Sequence, residues 1–110
     1  MKVAALDVSR LVDSGACDRG IVVCGSGAGV AVAACKPPGI RAAVGHDTYT
    51  AAQCVEHDDC NVLALGARVV GPMPAAACVR AFVSAEFSGA ERHARRLGKI
   101  DVMEQEGFGD

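Results

Sequence analysis

Apolar residues along the chain come in two alternating forms: short unbroken runs, and longer stretches at helical spacing. Val3, Leu6, Leu11 and Val12 fall near helical intervals with Gly15 following as a C-cap, which predicts a helix over residues 3–14. Gly20 to Cys24 (GIVVC) is a continuous apolar run of the kind a buried parallel strand shows. Gly-Ser-Gly-Ala-Gly then turns the chain into a small-residue helix from about Gly29 to Lys36, closed by Pro37-Pro38-Gly39. Ile40 to Gly45 reads as a second strand, and His46-Asp47-Thr48 offers an N-cap for a helix through about His57. Asn61 to Gly66 is a third strand, and Gly71-Pro72 opens a helix running to about Phe87. Ser88-Gly89 breaks it, and a charged helix follows from about Glu91 to Glu106.

Strands that alternate with helices predict an α/β fold with a parallel sheet and right-handed crossovers. A length of 110 residues is one domain with room for a modest core. About half the residues are apolar, mostly Ala and Val, with no Trp and one Tyr, so the helices must lie close to the sheet. A net charge of −2 gives no reason to expect nucleic acid, although basic residues gather in Glu91-Arg92-His93-Ala94-Arg95-Arg96. No apolar run reaches membrane-spanning length, and MKVAALDVSRLVDSG lacks the pattern of a secretory signal. The expectation is a soluble cytoplasmic protein. Six cysteines occur, at 17, 24, 35, 54, 60 and 78, and no two form a C-x-x-C pair. Without a secretory signal, disulfides are the weaker reading; five of the six read as small apolar core residues, with Cys24 set apart.

In open α/β sheets, ligands bind beyond the carboxyl ends of the strands. Three such ends can be read: Cys24-Gly25-Ser26-Gly27, Gly45-His46-Asp47 and Gly66-Ala67-Arg68. The glycine turn does not fit the dinucleotide fingerprint, because Val30 stands where the last Gly should be. It also lacks the G-K-[ST] of a P-loop, and Cys24 occupies the first Gly position of G-x-S-x-G. The residues alone leave two readings open. Either the glycines only make a tight turn, or the turn presents Cys24 and a ring of backbone N–H groups to a substrate.

The blocks CGSGAG, AACKPPGIRAAVGHDTYTAA, EHDDCNVLALGARVVGP and FSGAERHARRLGKI resemble, in order and spacing, the ribose-5-phosphate isomerase B / galactose-6-phosphate isomerase family from about Ser14 to Ile100. The resemblance implies a Rossmann/flavodoxin-like three-layer α/β/α fold. It implies interconversion of aldose and ketose phosphates without a metal or other cofactor, most directly ribose 5-phosphate and ribulose 5-phosphate. A homodimer with shared sites, or a tetramer, goes with it, and segment 89–106 would contact the partner subunit. Cys24 becomes the base that moves a proton between C1 and C2, a role that suits a thiol facing a helix N-terminus. Ser26 and the N–H groups of Gly25 and Gly27 would hold the enediolate oxygens, with Gly29 in the same loop. His57 matches the histidine that helps open the furanose ring. Asp58 stands where the family usually has Asn, so no amide N–H is available there for a substrate hydroxyl. Arg68, Arg92 and Arg96 match phosphate-clamping positions, the last two reaching across the dimer, with His93 beside them. The plain reading of residues 92–96 is a solvated helix face.

Family members begin with a strand ending in Asp-His, then a helix, a second strand and an Asp-Tyr-Pro loop. This chain matches only from the helix that follows. Two further functions therefore stand beside the isomerase: a non-catalytic domain that keeps phosphate binding or dimerisation, and one subunit of a heteromeric galactose-6-phosphate isomerase. The shortened front also leaves the strand Gly20–Cys24 with an unpaired apolar edge, from which marginal stability and self-association are expected.

Overall fold

The structure, a computed structural model, describes residues 2–107. Eight elements follow in order: α1 (Lys2–Asp13), β1 (Gly20–Cys24), α2 (Ala28–Ala34), β2 (Ala42–Val44), α3 (Thr48–Asp58), β3 (Val62–Gly66), α4 (Pro72–Ser84) and α5 (Glu91–Glu106). Every predicted element is present, and the differences lie at the ends. The strand expected over residues 40–45 keeps only its middle three residues. The helix expected to reach Phe87 stops at Ser84, because Ala85 turns extended and is buried in the core.

The three strands form one parallel sheet in the order β1-β3-β2. Gly20 through Cys24 pair with Val62 through Gly66, and Ala42 through Val44 pair with Val62 through Ala64. Being central, β3 is buried along its whole length, which is why VLALG is apolar without alternation. The pleat sends Leu63 and Leu65 to one face, with Ile21 and Ala43 beside them, against α3 and α4. Val22, Val62 and Ala64 face the other way, against α1 and α2. The result is the three-layer α/β/α arrangement of a Rossmann/flavodoxin-like fold.

The two sides of the sheet differ in grain. On the α3/α4 side, Phe82 is the largest fully buried side chain among the described residues, with Leu63 beside it. On the other side the buried residues are Ala, Val and Ile, and the helices come in close. A Cβ on Gly20 would run into the Val8 side chain. Here the helical spacing predicted for α1 needs correction. Ala5, Ser9 and Val12 face inward, while Leu11 is half exposed; the side chain of Val3 lies outside the described set. Close approach explains the choice, because Ser9 Oγ donates to the Ala34 carbonyl at 3.0 Å between α1 and α2. The cysteines need a similar correction. All six are free thiols; Cys54, Cys60 and Cys78 are core residues as expected, but Cys17 and Cys35 are exposed, one in the turn after α1 and the other capping α2.

Among the described residues, β1 is an edge strand, and Val23 on it is 55% exposed. An open apolar edge is a template for pairing with another chain. The chain is expected to melt cooperatively below about 60 °C and to scatter light increasingly with concentration. Val23→Lys, which places a charge on that edge, should lower the scattering while leaving the melting midpoint nearly unchanged. Equal scattering from both proteins would remove the β1 edge as the cause.

Candidate active site

The carboxyl ends of β1 and β3 are held against each other by glycines. Gly27 adopts φ 85° and ψ −18°, a left-handed conformation that side chains strain to reach, and a Cβ there would lie 3.0 Å from the Leu65 carbonyl carbon. Gly66 is tighter still: its Cβ would stand 2.6 Å from the backbone carbonyl carbon of Ser26. Ala67 N–H donates to the Cys24 carbonyl at 2.7 Å, and Arg68 N–H donates to the Gly25 carbonyl at 3.0 Å. The Arg68 side chain passes over Gly25, where an added Cβ would lie 3.6 Å from its Cδ.

This turn delivers backbone donors to a sulfur. Gly27 N–H donates to Cys24 Sγ at 3.2 Å. The N–H groups of Val30 first, then Gly27, Ser26 and Gly29, hold the Cys24 thiol below its ordinary range against the opposing effect of burial. Gly27 N–H thus meets the sulfur directly, and the backbone of the turn and of the first residues of α2 favours its thiolate. Ser26 Oγ accepts from Ala28 N–H at 3.2 Å, which leaves its own hydrogen free to donate.

His46 belongs to this end as well. Its Nε2 accepts from Gly66 N–H at 2.8 Å, which requires the neutral ring with its proton on Nδ1. In the sequence, His46 stood in the strand-end triplet Gly45-His46-Asp47 and in a helix cap, with no chemical role of its own, and Asp47 is the residue that caps. Its carboxylate accepts from Thr50 N–H at 2.6 Å and from the Thr50 hydroxyl at 2.8 Å. The signal for His46 was its position one residue beyond the glycine that ends the second predicted strand.

The remaining predicted residues form a second group. The rings of His57 and His93 stack, with centroids 4.1 Å apart and planes 27° from parallel. Ser88 Oγ lies 2.7 Å from His93 Nδ1. His93 is only 3% exposed, so it faces inward under His57, while Arg92, Arg96 and Asp58 are exposed around it. Burial, with positive charge at His57, Arg92 and Arg96, pushes His93 below the usual histidine range, opposed by Asp58. His93 therefore supports His57 within one chain, whereas the sequence had set it with the exposed arginines.

The two groups lie at opposite ends of the sheet. Cys24, Gly25, Ser26, Gly27, Gly29, Arg68 and His46 sit at the carboxyl ends of the strands. Helix α3 starts from the carboxyl end of β2 and runs back for 11 residues, about 16 Å at the usual helical rise. It delivers His57 and Asp58 to the amino ends, where Arg41 pairs with Asp59 at 3.1 Å and its backbone N–H donates to Asn61 Oδ1 at 2.8 Å. Helix α5 lies at that end too, with Glu104 accepting from Gly39 N–H at 3.1 Å and Ser88 N–H bonding the Glu56 carbonyl at 2.9 Å. One chain keeps the two groups apart. Among the described residues, no group of three His, Cys, Asp or Glu side chains is arranged to hold a metal ion.

Two outcomes follow from these environments. Alkylation of Cys24 by iodoacetamide, followed by peptide mapping across pH, should reach its half-maximal rate below the value of about 8.5 for a free thiol. A profile centred at or above that value would contradict the converging N–H groups. His93, with its folded-state affinity for a proton reduced, binds fewer protons folded than unfolded as pH falls through the ordinary histidine range. Stability contributed by the neutral ring is therefore complete above about pH 6.5 and declines below it. Urea midpoints should drop between about pH 8 and pH 5.5, and the drop should shrink in His93→Gln.

Comparison with known proteins adds to this geometry. The family model described as Ribose/Galactose Isomerase matches residues 2–100. The ribose-5-phosphate isomerase B of Escherichia coli is 43% identical over 101 residues, covering 92% of this chain and 67% of that protein. A solved structure of Clostridium thermocellum ribose-5-phosphate isomerase B is similar with a TM-score of 0.91 and 51% identity, covering 94% of this chain and 70% of the other. The Mycoplasma genitalium enzyme, solved with bound ribulose 5-phosphate, gives a TM-score of 0.89 and 38% identity over 96% of this chain and 69% of its own. The chain thus spans about two thirds of the length of these relatives. With a family match over nearly all its length, and relatives 43% and 51% identical, the chain belongs to the Ribose/Galactose Isomerase family.

Proposed function

We propose that this chain is a sugar-phosphate aldose–ketose isomerase acting on ribose 5-phosphate and ribulose 5-phosphate, with its sites assembled between two copies. The observation that carries the reading is the Cys24 sulfur at the end of β1, accepting from Gly27 N–H, with the backbone of the glycine turn lowering its pKa. A thiolate there removes the C2 proton of the open-chain aldose and returns it to C1, while a proton moves from O2 to O1. Charge passes from sulfur to the enediolate oxygens as the proton moves. The same donors, Gly25 N–H, Gly27 N–H and the Ser26 hydroxyl, then have a new anion to serve. Gly27 N–H need only shift its bond from Sγ toward oxygen as the thiolate is neutralised.

Ring opening precedes this step and needs a group that exchanges protons near neutrality, the role of His57. His93 holds that ring by stacking. Arg68 approaches from the carboxyl end, and Arg92 and Arg96 from the other, as guanidinium partners for a dianionic phosphate. The distance between the two groups within a chain favours a two-fold dimer in which the Cys24 end of each copy meets the His57 end of the other. Two-fold symmetry makes both sites from the same pair of surfaces.

The test is complementation. Cys24→Ala and His57→Ala should each reduce turnover of ribose 5-phosphate by about 10²- to 10⁴-fold, the scale of losing a proton-transfer group. Mixed in equal amounts, the two variants should recover roughly a quarter of wild-type activity, because half the dimers are hybrids with one intact site. No recovery would mean that Cys24 and His57 do not meet across chains. A wild-type chain that turns over neither ribose 5-phosphate nor galactose 6-phosphate would overturn the enzyme reading, leaving the phosphate-binding alternative.

A further inference from the structure

Two of the six cysteines lie on either side of His57, where α3 gives way to β3. Asp59 takes a left-handed φ of 50° and reverses the chain, so that Cys60 N–H donates to the Cys54 carbonyl at 2.9 Å. Helix ends of this type bring the residue after the reversal onto the last inward-facing side chains of the helix. Cys54 and Cys60 accordingly belong to the same buried cluster, 6% and 7% exposed, and both are free thiols. A direct backbone hydrogen bond also holds their Cα atoms within the roughly 4.4–6.8 Å that a disulfide spans. We propose that Cys54 and Cys60 are a redox pair that closes to an intramolecular disulfide, stapling the end of α3 to the start of β3 around His57.

Three further observations fit such a pair. The thiols act on one another unequally: the Cys60 thiol lowers the pKa of Cys54, while Cys54 and burial raise that of Cys60. Cys60 also lines a cavity of about 370 Å3 between α5 and the amino end of the sheet, bordered by Arg41, Asp58, Leu97 and Ile100, through which a small oxidant can reach it. Finally, the reversal is already fixed by backbone hydrogen bonds, so closure asks for little chain movement.

With a hydroperoxide as oxidant, one sulfur of the pair attacks a peroxide oxygen as its thiolate, becomes a sulfenic acid and releases hydroxide, which takes up a proton as water. The other sulfur then attacks the sulfenic sulfur, forming the S–S bond and expelling a second water with the sulfenic oxygen. Two electrons pass from the two sulfurs to the peroxide. Dithiothreitol reverses the change by thiol–disulfide exchange.

The experiment is peptide mapping by mass spectrometry, without reduction, of the whole chain treated with hydrogen peroxide. The expected result is a cross-linked peptide pair joining Cys54 and Cys60, lighter by two hydrogens and restored by dithiothreitol. It should be absent from Cys54→Ala and from Cys60→Ala. The proposal fails if both thiols stay reduced at a peroxide dose that oxidises exposed Cys17 and Cys35. It also fails if Cys60 is recovered bonded to Cys35, which lines the same cavity. Should an alanine variant not fold, the wild-type map decides alone. The bond is read directly, so the result stands apart from whether the chain isomerises a sugar phosphate.

Discussion

The contact between Gly66 and the Gly25–Gly27 turn sets where everything at the carboxyl end of the sheet can stand. Parallel pairing brings Cys24 level with Gly66, and both chains must leave the sheet at that point. Side chains on Gly27 or Gly66 would collide with the opposing backbone, so the two turns close on each other only as glycine. That closure fixes the start of α2, whose capping Gly27 gives its N–H to the Cys24 sulfur. The chemistry of the thiol is thus a consequence of how closely two strand ends pack.

The same contact shows why the sequence was informative here. Small residues on both sides of a strand end leave few alternatives, and a cysteine placed before Gly-Ser-Gly can meet only what the turn presents. The eight elements were legible for a related reason: β3 must be buried on both faces and reads as an unbroken apolar run, and each helix is bounded by a Gly, Pro or Asp with a specific task. Less legible was which face of α1 turns inward. Large apolar residues are normally the guide, but where α1 lies close on α2 it buries Ala5 and Ser9, and Leu11 is left half exposed. Cys17 and Cys35 were misread for the converse reason, since an Ala-rich neighbourhood says nothing about which residues in it fall in a turn.

Pairings across the fold were hidden for another reason. His46 meets Gly66, and His57 meets His93, through contacts 20 and 36 residues apart in the chain that no local pattern encodes. The family resemblance put Cys24 and His57 in one reaction without saying that a single copy keeps them at opposite ends of the sheet. That separation follows from elementary topology. A helix that links two parallel strands begins at one carboxyl end and must finish at the next amino end, so residues at its two ends cannot share a site within the same layer.

Helix α3 therefore has a different partner at each end. At its start, Asp47 caps the first turn and His46 reaches the glycine contact. At its end, His57 rests on buried His93 while Cys54 and Cys60 close the turn into β3 beneath it. The helix between them buries Ala51, Cys54 and Val55 against Leu63 and Phe82, so it is anchored along its length. A rigid connection of this kind gives the His57 end the same positional order as the Cys24 end. In the proposed dimer, two copies presenting such surfaces to each other would meet as preformed halves, which is what proton transfer requires of groups that must stand within hydrogen-bond reach of one sugar.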